Sequence, residues 1–415
     1  MDGFDSILQE VLSDMLEGLG GLDRRFVVGE LKEQLEFSTS VVASELMAIG
    51  FHNAELARQK AGEITFKAGA YHIGIGVRIV GERAFMPFPG QPSRRDDMER
   101  TRRMAVHHLG VVSMTAYGFD ETVDQKRYRQ RTEWDPFAHL IHRAEKNGDF
   151  AGFYRGEVER LNDLCREQPR LGGKDLVSRD LGAFFLLPGL IHTLMAAGMP
   201  DAKLRGMMRT FANVLAFEHE AFVRFRAREW RRCAALSVLN PGVEMVSAVY
   251  YETAECLVWE ERGGDYQLVY SDSGARPSYE ELIGEYPSIW AYLLIAAALS
   301  RLADDVCEVE EDAAEDSPNT WALPAEGRQE LIKFSGIQAG LVPDRPPTDR
   351  LAYITELRNV NRREANRARG ALTGQHARHL ITCIENIAYG AIYVAGRHND
   401  AAVSRAVAGK QGQGR

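Results

Sequence analysis

The chain is poor in the residues and patterns that usually name a protein's chemistry. Its five cysteines, Cys165, Cys233, Cys256, Cys307 and Cys383, are an odd number with no close pair. Disulfide frameworks and zinc ribbons need clustered, paired thiols, so a reducing compartment is expected. Long apolar runs are missing too. Phe184–Ala197 holds Pro188 and His192, and Ile289–Leu299 lies between Glu285 and Arg301. Both fall short of the roughly 20 apolar residues that a spanning helix needs, so they read as buried helices and no membrane insertion is expected. The start, MDGFDSILQEVLSDMLEGL, is acidic, whereas a secretory signal opens with positive charge and a mitochondrial presequence carries arginine without acid. No GxSxG, Walker glycine loop or HExxH occurs, which leaves no nucleophile or nucleotide signature. GIGVRIVG, Gly74–Gly81, lacks a helix start after its glycines and suits a hairpin better than a phosphate turn.

Positive charge is also in deficit. Fifty basic against 59 acidic residues give a net charge of −9. A surface that coats nucleic acid all round is thereby excluded, and any polyanion site must be a local patch.

What is present is a globular composition, 45% apolar and 26% charged, over 415 residues, enough for two or three domains. Phe4, Leu8, Val11, Leu12, Met15 and Leu19 share one helical face opposite Asp5, Glu10, Asp14 and Glu17. This segment, 1–22, either closes the core or forms an arm that docks on a neighbouring molecule. Alternation around glycines predicts a hairpin near 64–90, and CLVWEERGGDYQLVY predicts a second near 256–270 with Gly263-Gly264 at its turn. Nearly everything else has a helical period, including 201–238, 278–303, 326–339 and 349–395. Asn240-Pro241-Gly242 reads as a break, Asp304–Asp316 with Ser317-Pro318-Asn319 as a solvated loop, and Leu341–Thr348 as a rigid connector. The expected fold is therefore mainly α: a helical lobe over 23–240, a second over 241–397, two small β-hairpins, and terminal arms that include a flexible tail at 398–415.

The basic residues are mostly arginine; nine lysines leave 41 of the 50. Arginine's planar fork suits phosphate, although a GC-rich genome gives the same bias. Position tells more. Arg224, Arg228, Arg231 and Arg232 have the spacing of one helical face, with Phe217, Phe222, Phe225 and Trp230 as anchors. Arg358 with Arg362, and Arg363 with Arg367, make two further pairs, with Arg369 behind them. Other clusters are Arg94, Arg95, Arg100, Arg102 and Arg103, and Lys126, Arg127, Arg129 and Arg131 around Tyr128. These patches either converge on a groove that follows a phosphate backbone or are solvated faces balanced by acids such as Glu229 and Glu364.

Metal chemistry has weaker candidates. His376, His379 and Cys383 share a helical face but lack a fourth ligand, and Cys383 falls in the apolar stripe of Leu380, Ile384 and Ile387. His139 with His142, and Glu218-His219-Glu220, lack partners. Asp304, Asp305 and Glu308 resemble the aspartate-rich motif with which isoprenoid synthases hold magnesium against a diphosphate. The second metal motif of those enzymes is missing. No resident metal or cofactor is expected.

A helical chain with internal arginine faces, an amphipathic start and a polar tail resembles the nucleoproteins of negative-strand RNA viruses. FFLLPGLIHTLMAAGMP, Phe184–Pro200, is similar to an apolar helix and turn of bornavirus-like nucleoproteins. The small helical capsid proteins of double-stranded RNA viruses match equally well in size. The first resemblance implies two lobes clamping RNA and terminal arms exchanged between neighbours; the second implies a shell that encloses RNA. Either implies a self-associating, non-enzymatic protein of the virion and host cytoplasm with RNA as its partner. Arg224, Arg228, Arg231 and Arg232 are then the expected phosphate contacts on one lobe, and Arg358, Arg362, Arg363 and Arg367 those on the other. The alternative is an all-helical, magnesium-dependent enzyme acting on a diphosphate through Asp304, Asp305 and Glu308.

Overall fold

A computed structural model describes residues 199–201, 204, 217–218, 220–247 and 287–398, and the backbone of 257–262 and 265–270. Helix dominates these residues. The main elements are α1 (Trp230–Ser247), α2 (Pro287–Cys307), α3 (Val309–Glu315), α4 (Ala325–Ser335), α5 (Arg350–Gly370) and α6 (Gln375–His398). Short 3-10 turns sit at Thr320–Ala322 and Ala339–Leu341. The hairpin near 64–90, the segment 1–22, the arginine clusters at 94–103 and 126–131, and the tail beyond 398 lie outside the described residues.

The chain divides into two compact units. In the first, Leu257–Arg262 and Asp265–Tyr270 (β1 and β2) pair antiparallel, with Leu257 opposite Tyr270 and Arg262 opposite Asp265. The second unit joins 210–249 to 275–415 and holds α1 to α6.

The centre of that second unit is α2. Its sequence PSIWAYLLIAAALSRLADDVC is apolar on nearly every side, and 14 of its residues, from Ile289 to Cys307, are buried. A helix apolar all round must be enclosed by others, and α1, α4, α5 and α6 pack against it. Cys233, Ala234 and Val238 from α1 meet Ala297, Leu302 and Val306 from α2, with Leu331, Leu357 and Ile392 completing the same core. Glycine permits close approach at two crossings. A Cβ at Gly327 on α4 would stand 3.3 Å from the Cβ of Trp230 on α1, and one at Gly396 on α6 would stand 3.3 Å from Ile354 on α5.

The ends of these helices follow local chemistry. Asp349 caps α5 by accepting from the Ala352 amide at 2.9 Å, which satisfies one of the donors a helix start leaves free. Gly336, with φ of 76°, ends α4 in the left-handed conformation that glycine adopts without a Cβ clash. No helix among the described residues is long and apolar enough to cross a membrane.

Three expectations are corrected here. Asn240-Pro241-Gly242 lies inside α1, so the boundary placed at 240/241 falls within a helix that packs with the C-terminal elements. Proline removes one helical N–H and bends the backbone, yet Val238, Val243, Met245 and Val246 are buried on both sides of it, and that burial carries the helix through. The stretch 349–395 is two helices, parted at 371–374, with 375–398 returning along α5 and α2. Finally, Asp304–Asn319 is no solvated loop. Asp304 and Asp305 close α2, α3 follows, and Asp305, Ser317, Asn319 and Thr320 are buried.

Candidate nucleic-acid interface

Residues 217–218 and 220–226 are helical, but the helix stops there. Arg228 adopts φ of 58°, and the Arg228 amide donates back to the Phe225 carbonyl at 3.0 Å. Helix resumes only at Trp230. A left-handed residue redirects the chain, so Arg224, Arg228, Arg231 and Arg232 do not line one continuous helical face, contrary to their spacing.

Carboxylates occupy most of that group. Arg224 donates through Nε to Glu220 at 2.7 Å and through Nη1 to Glu229 at 3.0 Å. The hydrogen bond to Glu220, then that to Glu229, raises its already high pKa. Arg232 reaches Glu229 at 3.3 Å and Arg231 reaches Glu330 at 3.6 Å. Arg228 is exposed and makes no ion pair among the described residues. Its neighbour Arg226 lies over the Phe222 ring at 4.2 Å and pairs with Asp316 at 3.4 Å.

The second group sits on α5, and its first member is not available to a ligand as expected. Arg358 turns inward, its guanidinium 4.4 Å from the centroid of the Tyr389 ring and 5.6 Å from that of Tyr393. It also donates to the Tyr389 hydroxyl. An arginine stacked on an aromatic face gains cation–π attraction and loses access to solvent, so Arg358 fastens α5 to α6. Arg369 does likewise, pairing with Glu385 on α6.

The outer side of α5 is different. Asn359, Arg362, Arg363, Asn366 and Arg367 are all exposed, at spacings of three and four residues that place them together along one side. Arg363 pairs with Glu356 at 2.9 Å and Arg367 with Glu364 at 3.2 Å. Arg362 makes no ion pair among the described residues. Over its whole length α5 holds six arginines and two glutamates, a net charge of +4 on one helix of a chain that carries −9. Sequence reading missed Asn359 and Asn366, although their spacing from Arg362 and Arg363 marks the same side.

The acidic cluster is built inward. Asp305 Oδ2 accepts from the Thr320 amide at 2.7 Å and from the Thr320 hydroxyl. Its Oδ1 stands 2.7 Å from Arg301 Nε, a charge contact in which neither atom makes an aligned hydrogen bond. Arg301 Nη2 also donates to the Pro318 carbonyl at 2.7 Å, and Asn319 bridges the Asp305 carbonyl and the Asp312 carboxylate. Burial pushes the Asp305 carboxyl up to about 7, against lowering by Arg301 and Thr320. Burial disfavours charge on Arg301, but Asp305, Asp304, Asp312 and Glu308 together hold its pKa above the ordinary value. Both Asp305 oxygens thus have protein partners. Cys383 is buried beside Leu380 and Ile384; the side chains of His376 and His379 lie outside the described residues. Among the described residues no group of three or more histidine, cysteine, aspartate or glutamate side chains is placed to hold a metal ion.

The chain matches no protein-family model, no curated protein and no solved structure.

Proposed function

We propose that the chain is a self-assembling protein that encloses RNA, as a nucleoprotein or capsid subunit of a virion, made of two helical lobes with two small hairpins and terminal arms. The observation that supports this reading is the outer side of α5. Three exposed arginines and two asparagines share it, on a helix of net +4 in an acidic chain. Such a strip offers guanidinium and amide donors at the spacing of successive helical turns. That suits the phosphodiester backbone and carries no base readout. Of the eight arginines named from the sequence, Arg362, Arg363 and Arg367 are retained as phosphate contacts. Arg228, together with Arg231 and Arg232, whose ion pairs are exposed, are subsidiary ones, and Arg224 and Arg358 serve local ion pairs or packing. Residues 4–19 act as the arm that reaches a neighbouring copy.

The test is direct. Freshly purified full-length protein is expected to form rings, filaments or shells in electron micrographs, with absorbance at 260 nm above that at 280 nm. Replacing Arg362, Arg363 and Arg367 together with alanine is expected to lower retained RNA while leaving the thermal transition in place. Unchanged RNA content in that variant, or a monomer free of nucleic acid in the parent, refutes the proposal.

A further inference from the structure

On the outer side of α5, two of the three arginines are already occupied from within the helix. Arg363 Nη2 meets Glu356 Oε1 at 2.9 Å across seven residues. Arg367 Nη1 meets both oxygens of Glu364, at 3.2 and 3.5 Å. The guanidinium sides are open to solvent, with side-chain exposures of 56% for Arg363 and 81% for Arg367. Ion pairs so exposed are weak, because water competes and two long side chains lose freedom. A phosphate offers the same paired oxygen acceptors as a carboxylate, so it can take a glutamate's place without moving the arginine. Arg362, one residue before Arg363, has no such occupant among the described residues.

We infer that Glu356 and Glu364 are internal place-holders that occupy Arg363 and Arg367 until an RNA phosphate displaces them, with Arg362 as the first point of capture. This rests on reading the outer side of α5 as the RNA contact. The arrangement sets a threshold: a lone phosphate meets one free guanidinium, whereas a continuous backbone gains two more contacts by exchange. Neutralising a glutamate removes the competitor and the repulsion it exerts on the incoming phosphate.

Full-length wild type, Glu356→Gln, and Glu356→Gln with Glu364→Gln are compared for binding of single-stranded oligouridylate and of inorganic polyphosphate, at fixed salt. Affinity is expected to rise about two- to fivefold for each glutamate neutralised, the size set by an exposed ion pair. The gain should vanish when Arg363 and Arg367 are also replaced with alanine. Glu364 is only 14% exposed in its side chain, so a matching thermal melt is required of the double variant. If that variant misfolds, Glu356→Gln alone decides. If wild type binds and loses affinity on Arg362→Ala, while the glutamine variants bind no tighter, the place-holder role is wrong and the RNA reading stands. A gain that survives loss of Arg363 and Arg367 is a general charge effect and also overturns the inference. If wild type and every variant bind neither probe, the RNA reading itself fails and takes the inference with it.

Discussion

Replacing Asp305 with alanine tests how the segment after α3 is held to α2. Asp305 is 1% exposed and faces Arg301 at 2.7 Å, and its other oxygen serves the Thr320 amide and hydroxyl. The substitution leaves Arg301 with Asp304 at 3.7 Å and the Pro318 carbonyl, and it strips two donors on Thr320 of their acceptor. Breaking a buried pair from one side costs about 3–5 kcal/mol, because the remaining charge has lost its counterpart in a poorly solvated place. In a unit of this size each kcal/mol lowers the midpoint by about 2–4 °C, so a fall of roughly 6–20 °C is expected. The double replacement Arg301→Met with Asp305→Leu removes both charges and fills similar volume, and should recover most of that loss. Calorimetry or urea titration of the full-length chain at about pH 8, where the carboxyl is ionised, measures all three proteins. Two results refute the reasoning: an Asp305→Ala change within about 0.5 kcal/mol of wild type, or a double variant no more stable than Asp305→Ala.

The same carboxyl gives a pH prediction. Its folded pKa, about 7, is raised above the ordinary aspartate value by burial. The folded chain therefore holds this proton more readily than the unfolded one, and the stability that holding confers is present below about pH 4 and lost as pH rises through about 7. Asp305→Asn should flatten that part of the stability profile, and an unchanged slope argues against the assignment. Tyr292→Phe should cost about 1–3 kcal/mol in urea titration, since it leaves the buried Asn361 Oδ1, now served at 2.7 Å, without its donor. Cys233, Cys307 and Cys383 are buried, and burial pushes the Cys233 thiol up to about 11; a thiol reagent should modify them only after unfolding. Retention of RNA by the parent protein should weaken with added salt, and the Arg362, Arg363 and Arg367 triple-alanine variant should show a slope smaller by about 2 on the log–log plot.

The apolar run at 289–299 announced α2, because a helix buried on all sides needs apolar residues at every position. The proline-rich connector before α5 was visible for a similar local reason, but the break at 371–374 and the return of α6 were not. The arginine grouping near 230 was not. Nothing in the letters around Arg228 marks a left-handed turn, since non-glycine residues take that conformation only where their surroundings impose it. Partners distant in sequence were equally hidden. Arg226 finds Asp316, Arg231 finds Glu330 and Arg350 finds Glu310, and only the folded arrangement brings them within reach. Asp304–Asn319 looked like loop because acids usually seek water; what sequence could not show was that Thr320, 15 residues on, supplies two donors to Asp305. Within α5, spacing grouped Arg358 with Arg362, whereas the fold gives Arg358 to the tyrosines of α6.

The second unit is assembled from two stretches of chain with another segment between them, and α2 gains a large part of its enclosure from α5 and α6, the last of the described helices in order. During synthesis, α1 and α2 therefore emerge with their apolar sides bare and must wait for the remainder to be translated. A nonsense codon between 350 and 375 would release a product able to stick to its siblings before it can finish folding. Quality control should degrade it, and soluble yield should collapse.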